Sequence, residues 1–440
     1  MRAWAAPGQA IYSDSDAIGN LPQKVPESLV TDSPFLSTQL NSSEKILRST
    51  TNQYTSGGNN IVRFEFPSEN MDLRRGYLLV DVSLAKTGGT FVRLQQGSWS
   101  LFGRIVIVIG SVQYDYQYWN RMYSMKWNSA SNAPVEASIG TDLLGIGTQA
   151  RRNTLGAQAF TTYAVPVDCG FLHQGVLPLA ALCNTLNGQT MYIELFIDNP
   201  LQVVETDGTN PIITVSNARW HYENLWSTDK TYERKIAELI ATGTFKFGWT
   251  ETQIYQNAVI NTVSDLPIQW KGSSLSAIIT LLVDATSQTN PLVNNKMTTW
   301  LKTMANGATV TDFQHQVNMN WIPQEAVICI GFGDRAYEQY LKWKGLWKED
   351  ASRMVIGAGI DLPSFQVDQF IIVGNFCAAP TDVLYPEEYF NALSTRGQGY
   401  NTILRLTLSV PPPVQTVAYH IIYYSTLVTV DSNGLVKKYL

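Results

Sequence analysis

Apolar and polar residues alternate from Val62 to Phe66 (Val62-Arg63-Phe64-Glu65-Phe66), the period of a strand with one face buried. Residues 77–84 carry a second apolar segment, closed by the turn Thr87-Gly88-Gly89-Thr90. A block at 99–105 then runs into Ile105-Val106-Ile107-Val108-Ile109, and residues 162–167 and 191–197 complete a first set of predicted strands. Between them, Tyr114, Tyr116, Tyr118, Trp119, Met122, Tyr123, Met125 and Trp127 mark an aromatic stretch whose role is read as packing. The Gly-, Ser-, Ala- and Asn-rich residues 128–158 predict a long insertion.

The period changes at 227–243. Tyr232, Ile236, Leu239 and Ile240 fall on one stripe of a helix, with Ser227 or Thr228 as the N-cap and Gly243 at the C′ position. Strand patterns then resume at 245–249, 266–270, 275–283, 311–322, 326–330, 370–376, 402–410 and 417–430. Two blocks of short strands around one helix predict two all-β sandwiches or barrels and argue against a series of βαβ units. Leu101 and Leu275 each follow a serine before an apolar strand, 174 residues apart, which hints at duplication. The first 58 residues lack a sustained period and read as an arm ordered by partners. The expected division is therefore an arm at 1–58, a first sandwich at 59–222 and a second at 223–440.

Composition narrows the function. Charged residues make up only 15% of the 440, against 45% hydrophobic and 11% aromatic. That is too apolar for disorder, and the net charge of −5 leaves no global positive field for nucleic acid. The arm itself holds Arg2, Lys24, Lys45 and Arg48 against five acidic residues, so it is no basic genome-binding tail. No segment reaches the ~20 apolar residues of a membrane-crossing helix, and the N-terminal residues lack the apolar core of a signal peptide. Cys169, Cys183, Cys329 and Cys377 show no metal-finger spacing and read as reduced core thiols.

Enzyme chemistry finds little support. Residues 326–336 have the form strand, Gly331-Phe332-Gly333-Asp334-Arg335-Ala336, then a helix-like segment, the outline of a dinucleotide loop. Without an alternating strand–helix–strand series, the simpler reading is a glycine turn before a surface helix. His173, His221, His315 and His420 do not pair at ligand spacing, so no metal and no cofactor is expected. No serine sits in a Gly-x-Ser-x-Gly elbow, and His420 reads as a satisfied core or interface histidine.

The order of these features resembles the double jelly-roll major capsid proteins of viruses, the lineage of adenoviruses, tailless membrane-containing phages, virophages and polinton- or adintovirus-like elements. The resemblance spans about residues 60–440. Residues 99–120, from Trp99 through the isoleucine–valine run to Gln117-Tyr118-Trp119-Asn120, are similar to one family strand and its turn. Trp220-His221-Tyr222-Glu223, the helix after it and residues 245–255 are similar to the passage between the rolls. Ser274-Leu275-Ser276-Ala277-Ile278, Tyr337-Glu338-Gln339-Tyr340-Leu341, Leu393-Ser394-Thr395-Arg396-Gly397 with Ile403-Leu404-Arg405-Leu406, and Tyr423-Tyr424 to Gly434 resemble later elements. Two departures stand out: tower-like insertions are modest, and Trp321-Ile322-Pro323 replaces a common Tyr-Pro.

The resemblance implies two eight-stranded jelly rolls, trimerisation into a pseudo-hexameric capsomer, and self-assembly into an icosahedral virion shell without an active site. Implied partners are two further copies of the chain, neighbouring capsomers, penton and minor capsid (cement) proteins and, in part of the lineage, an underlying membrane. Phe35, Leu36, Leu40, Tyr116, Tyr118 and Trp119 are the expected docking residues, and residues 128–158 and 284–310 the expected crown of the trimer. A trimeric spike would call for a fibrous or lectin-like head, which no segment supplies. A carbohydrate-active sandwich enzyme would need two convergent carboxylates.

Overall fold

The computed structural model describes residues 40–440 except 96, 111, 130–141, 168, 171, 173–175, 180–190, 228–229, 243–244, 271, 273, 331–334, 345–358, 377–392, 395–401, 414, 431–435 and 440. Two antiparallel sheets face each other in the first half. One runs β1 (Leu40–Arg48), β12 (Thr209–Ser227), β4 (Asn70–Thr87), β8 (Thr161–Val165), with β2 (Gln53–Thr55) added to β12 and β9 (Val176–Pro178) to β4. The other runs β3 (Ile61–Glu65), β10 (Met191–Ile197), β6 (Phe102–Ile109), β7 (Val112–Gln117). A two-stranded ribbon, β5 (Val92–Leu94) with β11 (Val204–Thr206), lies apart from both.

The second half repeats the plan. Its first sheet is β13 (Phe245–Ala258), β21 (Thr416–Val430), β15 (Ser274–Asp284), β18 (Ile372–Asn375), with β19 (Leu393–Ser394) and β22 (Val436–Tyr439) attached. Its second is β14 (Val263–Ile268), β20 (Thr402–Leu408), β16 (Val310–Val317), β17 (Asn320–Ile328). In each half, eight strands thus take the same places in the same chain order. The repeat is real, but the two leucines that hinted at it are not equivalent. Leu101 precedes β6, whose counterpart is β16, whereas Leu275 lies in β15, the counterpart of β4.

The sandwiches close because period-2 patterns turn apolar side chains inward. Ile193 of β10 lies opposite Ile107 of β6 and Phe64 of β3, and all three are fully buried. In the second sandwich Leu404 and Leu406 of β20 face His315 and Phe313 of β16 across the ladder.

Among the described residues, four helices of eight residues or more pack on or beside these sheets: α1 (Trp119–Ser129), α2 (Gln149–Gly156), α3 (Thr231–Ala241) and α4 (Arg335–Trp343). Helix α3 buries Ile236 and Ile240, as the stripe predicts. It starts later than expected, at Lys230 in a left-handed conformation without a side-chain cap, and Gly243 lies outside the described residues.

Two further expectations change. Residues 40–48 and 53–55, read as arm, are strands: β1 pairs with β12 from Leu40↔Ser227 to Arg48↔Arg219. Their polar sequence hid them because β1 is an edge strand with alternate side chains in solvent. The boundary at 222–223 falls inside β12, which stays paired with β4 as far as Asn224↔Met71. The 311–322 segment is a hairpin rather than one strand. Val317 pairs Asn320 across Asn318 and Met319, both left-handed (φ 50° and 68°), the signature of a tight primed turn.

Candidate assembly surfaces

The two sandwiches meet through unlike faces. β7 and α1 of the first pack beside β13 and β21 of the second. The turn between β7 and α1 is made by Tyr118 at φ 55°, and its ring stands edge-on to Tyr419, 5.3 Å between centroids. One helical turn on, the Arg121 guanidinium lies 4.8 Å from the same Tyr419 ring. Inside this contact Tyr114 and Tyr116 face Glu251, itself only 2% exposed. Burial first, and the Glu251 carboxylate second, push both phenols well above the ordinary tyrosine range, so they stay protonated.

A second contact clasps the sandwiches together. Residues 291–296, between β15 and β16, reach back to the β5–β11 ribbon. Pro291 accepts the Thr206 amide, Gln95 Oε1 accepts the Lys296 amide, and Gln95 donates to Val293. Under these bonds sits a buried ionic group. Glu205 accepts from Arg93 Nε, from Arg152 Nη1 at 3.4 Å and from the Asn295 amide at 3.1 Å, while Arg152 Nη2 donates to Asn294 at 3.0 Å. Lys296 donates to the carbonyls of Leu201 and Val204 and is pushed down to about 8 by burial, partly offset by Glu205. Residues 284–310 are therefore, in good part, a tie between halves; Lys296, Met297, Trp300 and Met304 are buried, which does not suit a crown loop.

Among the described residues, the equivalent faces at the far ends carry exposed apolar side chains. β17, counterpart of β7, ends the second sandwich with Met319 83%, Ile330 53% and Ile328 49% exposed. A shallow depression of about 570 Å³ beside it is lined by Asp312, Glu325, Ala326, Ile328, Ile330 and Arg335. On the first sandwich, Ile46 of β1, His221 of β12 and Tyr77 of β4 stand in register across three strands of the outer face. Ile46 and Tyr77 are exposed, Tyr77 stacks on His221 at 4.6 Å, and Glu44 holds the imidazole Nδ1 at 2.9 Å. The matching strand of the second sandwich, β15, is buried along both faces.

The expected docking residues fare unevenly. Phe35 and Leu36 lie outside the described residues, and Leu40 opens β1. Tyr116 (4% exposed) and Trp119 (0%) are buried in the chain's own core, so neither offers surface to a neighbour; Tyr118 is half-buried against Tyr419. The aromatic stretch is packing, as expected, but of an internal joint. The exposed residues Ile46, Tyr77, Ile328 and Ile330 give no signal in the sequence because each stands beside apolar residues of the same strand segment, such as Leu78 and Val327, that are buried or partly buried.

The glycine motif resolves differently too. Its Gly331, Phe332, Gly333 and Asp334 lie outside the described residues. Helix α4 after it is no surface helix: Ala336, Tyr340 and Trp343 are fully buried, and Tyr337 and Tyr340 pack on Phe365. Among the described residues no group of three or more His, Cys, Asp or Glu could hold a metal ion, and no helix is long and apolar enough to cross a membrane.

No protein-family model and no curated protein matches the sequence. Solved structures do. The PBCV-1 virus capsid aligns with a TM-score of 0.58 at 10% identity, covering 91% of this chain and 97% of that one. The Sputnik virophage (TM-score 0.57, 9% identity, 91% and 88% covered) and the Faustovirus major capsid protein (0.57, 9%, 88% and 90%) are comparably similar. The fold is a double jelly roll. The two sandwiches are its rolls, β1 to β12 the first and β13 to β22 the second.

Proposed function

We propose that this chain is a viral major capsid protein that trimerises into a pseudo-hexameric capsomer and self-assembles into an icosahedral shell. One observation carries the reading: among the described residues, the face that β7 and α1 cover on the second roll is left open on the first, and the β7-like edge is left open on the second. The joint between rolls is thus heterologous, and a chain that makes it once internally still carries one unused copy of each half. A second copy of the chain is the occupant that fits both. Its β17 edge, with Met319, Ile328 and Ile330, would sit on the Ile46–His221–Tyr77 strip of the first. Repetition closes a ring, and three chains supply six similar rolls.

The fold shared with the PBCV-1 and Faustovirus capsid structures supports this reading, as does a charge-poor, aromatic-rich composition suited to large interfaces. It involves no catalytic step. Neighbouring capsomers, penton proteins and cement proteins are the further partners implied, and the virion is the implied location.

Light scattering on the purified protein is expected to give about three times the 49.0 kDa chain mass, and electron micrographs of concentrated samples hexagonal tiles. A stable monomer that never associates would overturn the proposal.

A further inference from the structure

His315 and His420 lie inside the second roll, one from each sheet; both are fully buried, and His315 acts electrostatically on His420. His315 comes from β16. Neither of its ring nitrogens meets a donor or acceptor among the described residues. Phe313 and Phe376 stand edge-on to the ring at 5.9 and 5.8 Å, and Gly374 of β18 closes over it so tightly that a Cβ there would lie 2.8 Å away. Leu404 of β20 and Ile322 of β17 flank it in register.

His420 comes from β21. Asn257 of β13 donates its amide to Nε2 at 3.3 Å, so Nε2 carries the lone pair; Nδ1 then donates to Thr280 of β15 at 2.8 Å. A second proton on Nε2 would confront the Asn257 amide donor. Tyr255 of β13 is the titratable side chain opposite His420 in register. Among the described residues no carboxylate offsets charge on either ring, and His315 is the one group that acts electrostatically on His420.

We infer that His315 and His420 form an acid-sensitive latch: both rings hold the second roll shut while neutral, and proton uptake by them opens that roll before the first. This goes beyond the capsid reading and does not require it. Burial pushes both rings down to about 3. Above about pH 6.5 the folded and unfolded chains carry the same neutral rings, and the pair adds no pH dependence. Below it, the unfolded chain takes up protons that the folded one refuses. Each further pH unit then lowers the folded-to-unfolded ratio about tenfold per ring, until the folded rings titrate near 3. The first roll has no equivalent device among its described residues. Its inner positions on β6 are Ile105, Ile107 and Ile109, and His221 faces outward beside Glu44.

The test is hydrogen exchange on the full chain, corrected for intrinsic rates, from about pH 7.5 to 4.5. Wild-type protein is expected to lose protection in β16, β18, β20 and β21 while β4, β6, β10 and β12 keep theirs. In the variant His315→Leu with His420→Gln, which keeps a donor and an acceptor toward Thr280 and Asn257, the acid midpoint of the second roll should fall by about one pH unit. An unchanged midpoint, or equal loss of protection in both rolls of the wild type, overturns the inference. Should the variant fail to fold, ring titration of the wild type by NMR decides. Rings that stay neutral until the roll opens support the latch, and rings that protonate near pH 6.5 in the folded chain refute it.

Discussion

Among the described residues, Glu205 is the buried carboxylate that answers the guanidiniums of Arg93 and Arg152, and its own side chain is 1% exposed. Such a group adds little net stability against an apolar replacement, yet removing one partner strands charge away from water. Glu205→Gln keeps the shape and loses the charge, so denaturant unfolding should show a loss of about 3–5 kcal/mol. The pair Arg151–Asp142 makes the contrast. Both side chains are about half exposed, and Asp142→Asn should cost under about 1 kcal/mol in the same measurement. None of this was legible in the sequence. Arg93, Arg152, Glu205 and Lys296 are spread over some two hundred residues with no spacing to connect them, and a charged residue reads as solvated until the fold shows what surrounds it.

Among elements, legibility followed burial. Runs with one strongly apolar face, such as 61–66 and 191–197, or two, such as 275–283, announced themselves, because packing against a sheet demands that pattern. Elements whose reason is a neighbour did not. β1 alternates weakly because its outer face is in solvent, and the β16–β17 hairpin was hidden because Asn318-Met319 lacks the glycine such turns usually carry. Met319 holds a left-handed backbone that disfavours its Cβ, and it is 83% exposed. Met319→Gly should therefore stabilise the monomer by about 1 kcal/mol, read as a higher Tm. If the hairpin edge is a contact surface, the same change weakens association, so the two readouts should move in opposite directions.

For the whole molecule, the unlike faces make a stricter demand than self-association alone. A heterologous contact can be broken from either side and repaired only by matching both. Ile46→Lys and Ile328→Glu are each expected to leave a folded monomer by light scattering, since both positions are about half exposed and burying an unpaired charge at a contact is costly. Combined in one chain, the two charges should restore part of the trimer; a double variant no better than either single one would show that the strip and the edge do not meet. The sequence carried this scale best in outline. Two β blocks predicted a pair of sandwiches and the resemblance to double jelly-roll capsid proteins implied how they are used, while the particular faces emerge only once the strands are paired.

The clasp between rolls also orders events in time. Gln95, Arg152 and Glu205 are synthesised well before Asn294, Asn295 and Lys296, which satisfy them. A ribosome that has finished β12 has therefore made every strand of the first roll and still left its charged pocket open. A chain broken off before residue 291 would carry that unfilled pocket permanently, and with it a destabilised first roll. If the chain works as the proposed capsid tile, completeness becomes a condition of assembly, enforced by the chain itself.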